Sequence, residues 1–173
     1  AIREGNELGK SAKSYIGAGQ LVPDEIVIGI IKDYLSSDKC KNGFILDGFP
    51  RSIPQAEALD KMGINLDAVV SIEVSDETIV ERMSGRRVCT KCGKTYHVLH
   101  NPSKNGDNCE CGAALTVRAD DAPDVVRSRL EVYHSTTEPL KGFYEKRGKL
   151  KLIESQSSIK ATTAAIFKEL GIE

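Results

Sequence analysis

The stretch FILDGFPRS, Phe44 to Ser52, runs three apolar residues into an acid, a glycine, a phenylalanine, a proline and an arginine. Phe44–Leu46 reads as a short buried strand. In α/β sheets ligands bind beyond the carboxyl ends of the strands, which is where this reading puts Asp47 and Arg51. Proline stiffens the following turn and glycine permits close backbone approach. Downstream, SIPQAEALDKMG reads as a helix ending at Gly63. DAVVSIEV is a second strand, because Val69, Val70, Ile72 and Val74 are too apolar for a half-exposed one. Ser75 then caps DETIVERMSG as a helix. The third strand is KLKLIE, and SSIKATTAAIFKELG is a closing helix.

Upstream, PDEIVIGIIKDYL places Pro23 at a helix start, with Asp24 and Glu25 in the first turn, where the dipole favours acids. Ile26, Ile30 and Ile31 form its apolar stripe. AKSYIGAGQ reads as a short helix closed by glycines, and Ala122 to Arg147 as a long helical region broken near Pro139. Strands alternating with helices predict an α/β fold with a parallel sheet and crossover helices. Three strands are few for so much helix, since sheets usually hold about 4 to 6.

The bulk numbers are those of one ordinary domain with a small insert: 173 residues, 40% hydrophobic, 28% charged, net charge -1. That balance gives no reason to expect binding of nucleic acid through bulk charge. No apolar run approaches the roughly 18 residues of a membrane helix, and no secretory pattern is visible, so a cytoplasmic protein without membrane partners is expected.

The segment Arg86 to Asp121 lacks helical periodicity and holds four of the five cysteines. CTKC gives Cys89 and Cys92, and CEC gives Cys109 and Cys111. Two close pairs flanking a short polar loop match a structural zinc site, in which thiolates hold the metal tetrahedrally. C-x-C is tighter than the usual C-x2-C, so a neighbouring donor such as Asp107 is an alternative to one thiolate. Disulfides are disfavoured where no secretion signal is seen. Cys40 reads as a plain surface thiol, and His97, His100 and His134 as ordinary side chains.

Arginines cluster where chemistry would use them. Arg51 ends the DGFPR turn, Arg86 and Arg87 enter the cysteine insert, Arg118 leaves it, and Arg129 follows on a helix. Guanidinium forks converging on one point suit a transferring phosphoryl group. The competing reading is a set of surface pairs with Asp120, Asp121 and Glu131.

Taken together, GQLVPDEIV, GFILDGFPRS with QAEAL, GRRVC, TYH, NP and RADD resemble adenylate kinase of the bacterial type with a long zinc-bearing lid. The resemblance runs along the whole sequence. It implies a P-loop NTPase-like sheet and the reaction ATP + AMP = 2 ADP with Mg2+. It divides the chain into 1–22 as part of the AMP-binding domain, 23–84 with 123–173 as the core, and 85–122 as the lid. AMP would meet Gln20, Leu21, Val22, Gly48, Phe49, Pro50, Arg51 and Gln55. ATP would meet Arg82, Arg86, Thr95, Tyr96 and Ser157. Arg118 and Arg129 would bridge the two phosphate chains, completing a catalytic set with Arg51, Arg86 and Asp47, which orients magnesium-bound water. The family is commonly monomeric.

One part of the family pattern has no counterpart. No G-x-x-x-x-G-K-[ST] loop, whose backbone N–H groups cradle phosphates, occurs in the sequence. The expectation is therefore a partial record whose N-terminal sheet strands are absent, inactive by itself and poorly folded. Two other readings stay open: a nucleoside monophosphate kinase with GTP as donor or UMP or CMP as acceptor, and a non-catalytic module binding nucleotide or a partner through its zinc insert.

Overall fold

The computed structural model describes residues 9–11 and 22–172. The whole of the helix expected over AKSYIGAGQ, and with it Gln20 and Leu21, lies outside them. The described chain forms two compact units, one of residues up to Asp67 with Thr136–Arg147, the other of Ala68–Ser135 with residues from Gly148 onward.

In the first unit, helix α1 spans Asp24–Leu35 and begins directly after Pro23. Helix α2, Ile53–Lys61, starts under Ser52, whose hydroxyl accepts from the Gln55 N–H at 3.4 Å. A short helix α5, Leu140–Glu145, belongs here too. α2 packs on both α1 and α5. The buried residues explain why: Ala56 and Leu59 on α2, and Leu140 and Tyr144 on α5, fall at i,i+3 and i,i+4 and so share one face of each helix.

Phe44–Leu46 differs from expectation. It forms no strand, and Ile45 is 96% exposed. A strand exists only through ladder hydrogen bonds to a neighbour, and no described strand lies beside this one. Apolar sequence supplies the tendency and the partner supplies the strand.

In the second unit, β1 (Val69–Glu73) pairs in parallel with β5 (Leu150–Glu154), Val69 opposite Leu150 and Glu73 opposite Glu154. Both strands were legible from their apolar runs, but Ile72, expected to be buried, is 49% exposed. Helix α3, Asp76–Ser84, follows β1 under its Ser75 cap, and packs on α4, Pro123–Val132. Helix α6, Ile159–Leu170, capped by Ser158, packs on β5. The expected break near Pro139 is a π-helical turn, Tyr133–Thr137, ahead of α5. Between α3 and α4 the cysteine insert forms a three-stranded antiparallel sheet with β2 (Arg86–Cys89) central between β3 (Thr95–His97) and β4 (Leu115–Thr116). The fold is therefore α/β with a parallel sheet and a small cysteine-bearing β insert.

Candidate functional site and metal centre

The insert's core is its cysteines. The Sγ atoms of Cys89, Cys92, Cys109 and Cys111 lie within 4.8 Å of one another. Thiolates around one zinc, each about 2.3 Å from the ion, stand roughly 3.8 Å apart, so the set fits a tetrahedral metal. Two tight turns bring this about. The Gly93 N–H bonds the Cys89 carbonyl at 2.9 Å and the Gly112 N–H the Cys109 carbonyl at 2.8 Å. Both glycines sit at positive φ, 74° and 83°, where a side chain is strained. Asp107 is outside the cluster, and its carbonyl accepts from the Leu115 N–H instead. Neighbouring groups shift two of these thiols in opposite directions. The Cys111 backbone N–H and then the Tyr96 hydroxyl pull Cys109 down to about 6. Cys92, though drawn down by the Lys94 N–H, is pushed up to about 12 by the Cys109 and Cys89 sulfurs. Four thiolates this close ionise together only around a positive charge.

At the two ends of the insert three arginines are held by adjacent carboxylates. Arg86 opens β2 and Asp121 closes a 3-10 turn, Ala119–Asp121. The Arg86 guanidinium grips Asp121 with two parallel hydrogen bonds, the Nε–Oδ2 one at 2.8 Å. That fork also raises the Arg86 pKa. Asp120 accepts from Arg118 at 2.9 and 2.7 Å and from Arg129 at 3.4 Å. Its own pKa falls, first because of the Arg118 hydrogen bonds. Arg82 reaches the Ser155 hydroxyl, just past β5, at 3.2 Å. The pairing with Asp120 and Asp121 was legible in RADD, but not its depth, because Asp121 is only 1% exposed. A buried carboxylate that fixes one of the named arginines is a candidate that spacing alone did not single out.

In the first unit the DGFPR turn folds back on itself. Arg51 Nε donates to the Gly48 carbonyl at 2.7 Å, and Thr137 Oγ1 donates to the Arg51 carbonyl at 2.9 Å. Gly48 has φ 71°, and a Cβ there would sit 2.8 Å from Arg51 Nη2, so the glycine admits the guanidinium. Gln55 is buried, with its amide NH2 on Asp24 at 2.6 Å and its amide oxygen on the Arg51 N–H at 2.7 Å. Asp24, read from sequence only as a helix-start acid, is therefore also an anchor of this turn. Phe49 is buried, Val22 and Pro50 are half-buried, and Asp47 is exposed at the bend. In the second unit Thr95 and Ser157 are exposed, whereas Tyr96 is buried among the cysteines.

A parallel strand pair flanked by helices, with a four-cysteine β insert bounded by paired arginines, is the arrangement that the resemblance to nucleoside monophosphate kinases implies. The comparisons with known proteins agree: the family model described as adenylate kinase matches residues 1–149. The chain is 52% identical to the adenylate kinase of Ruminiclostridium cellulolyticum over 99% of its own length and 82% of that protein. It is 51% identical to that of Caldicellulosiruptor bescii over the same shares, and 50% identical to that of Carboxydothermus hydrogenoformans over 96% and 80%. The chain belongs to the adenylate kinase family.

Proposed function

We propose that the protein acts in reversible phosphoryl transfer between ATP and AMP, giving two ADP, as a monomer in the cytoplasm. What carries this is the family, whose model matches residues 1–149, and it is supported by the gathering of Arg86, Arg118 and Arg129 about the adjacent Asp120 and Asp121. Phosphoryl transfer asks the protein mainly for positioning and charge stabilisation. Arg86 and Arg82 would hold the donor side, with the exposed Thr95, Ser157 and the backbone of Tyr96. Arg118 and Arg129 would bridge the phosphates. Each exchanges part of its hold on a carboxylate for phosphate oxygens, so the carboxylates keep the forks aligned before substrate arrives.

Arg51 would take the AMP phosphate, with Val22, Gly48, Phe49 and Pro50 shaping that pocket together with Gln20 and Leu21. Gln55 would face adenine by exchanging part of its hold on Asp24 and the Arg51 N–H for the base edge. Magnesium enters with the nucleotide, and the exposed Asp47 carboxylate is suited to orient its water. Zinc in the four cysteines would supply a structural clip for the lid, residues 85–122. Shut over substrate, a lid keeps water from the transferring group. The 1–22 and core divisions follow the same reading.

Since the sequence lacks a G-x-x-x-x-G-K-[ST] loop, the 173-residue chain is proposed to be inactive as it stands. The test is ADP formation from ATP and AMP. The chain alone should show none, and a version extended at its N-terminus by a segment carrying that loop should turn over, preferring AMP to UMP or CMP. Arg86→Ala in the extended version should lower kcat by about 100-fold or more. Full turnover by the unextended chain, or a preference for UMP, would overturn the corresponding statement.

A further inference from the structure

Tyr96 stands in β3 with its side chain turned into the cysteine knuckles, and it is 4% exposed. It shares a buried cluster with Cys89 and Cys109, against which Ala113 and Leu115 pack. Its hydroxyl lies 3.3 Å from Cys109 Sγ and accepts from the Glu110 N–H at 3.3 Å. A phenol has one proton to give. With Glu110 engaging its lone pair, that proton is left for the sulfur, and a metal-bound thiolate can only accept. The outer side is closed by Lys94, whose ammonium lies 5.6 Å from the ring centroid and 2.5 Å from the Glu110 carboxylate.

We infer that Tyr96 is a positioning residue of the metal centre: its hydroxyl donates to Cys109 Sγ, fixing where that thiolate points and how much electron density it offers the ion. Hydrogen bonds to metal ligands commonly set both. The inference rests on the four-cysteine metal reading given above, and goes beyond it by assigning a fifth side chain.

The test uses the full 173-residue chain. Zn2+ affinity is measured by competition with a chromophoric chelator, and Co2+ is loaded in its place to read the thiolate-to-metal charge-transfer band. Tyr96→Phe keeps the ring and removes the donor. It should weaken Zn2+ binding about tenfold, and should move the Co2+ band to lower energy, because an unbonded sulfur holds its electrons less tightly. Leu115→Ala trims the same cluster without touching the hydroxyl, so it should lower thermal stability and leave the band in place. Wild-type affinity with an unshifted band in Tyr96→Phe, or an equal shift in Leu115→Ala, overturns the role of the hydroxyl. A wild-type chain that takes up neither ion overturns the metal reading itself, and the inference with it.

Discussion

The buried Asp121 carboxylate stands to lose most from a single substitution. It gives up hydration and is compensated by the two-pronged Arg86 fork. Arg86→Leu leaves that charge inside without a partner, and should destabilise the chain by about 3–5 kcal/mol in urea unfolding. Replacing both partners by apolar residues should cost much less. The exposed carboxylates respond to pH instead. The Arg118 hydrogen bonds lower the Asp120 pKa, and the Lys94 hydrogen bond lowers that of Glu110. A depressed carboxylate contributes stability that is present above its unfolded pKa, about 4, and is lost as pH falls through the lower folded value. Unfolding of the insert, followed by tyrosine fluorescence, should therefore ease below about pH 4, and Glu110→Gln should flatten that dependence. Stability unchanged down to pH 2 would contradict this.

Among the elements, α2 is the hub of the first unit. Its apolar face holds Ala56 and the fully buried Leu59, and it packs on two other helices. Leu59→Ala removes packing that its neighbours can only partly recover, so a loss of about 2–5 kcal/mol is expected from thermal unfolding. Ser75 is a different kind of determinant, since its hydroxyl takes the Thr78 N–H at 3.3 Å and starts α3. Ser75→Ala should cost about 1 kcal/mol, and Ser75→Asp should restore most of it. Both helices were legible in the sequence, because helix-end residues and helical spacing are local signals. Phe44–Leu46 was not, because its reading as a strand depended on a neighbour that its own residues do not specify.

For the molecule as a whole, the insert and the rest draw stability from different sources. Outside the insert the buried side chains are mostly apolar ones, such as Leu59, Val126, Leu140 and Ile153. Among the described residues of the insert, Tyr96 and the two inner cysteines are its core, too little to hold three short strands without a cross-link. Stripping the metal with a chelator should open the insert to trypsin at Lys91, Lys94 and Lys104 first. Restoring Zn2+ should restore protection there. Equal cutting with and without metal would show that the cysteines play no structural part.

The sequence by itself determined the main described helices, the Ser75 cap, the two parallel strands, the cysteine knuckles and the family, since each rests on residues near one another or on a motif set that runs the length of the chain. Tertiary structure alone decided that Asp121 is buried, that Gln55 is shared between Asp24 and Arg51, and that Tyr96 faces sulfur instead of solvent. Those three facts join residues 4 to 35 positions apart. Hydrogen-bond partners and burial at such separations arise from how elements pack, and packing is not written in any single stretch of the chain.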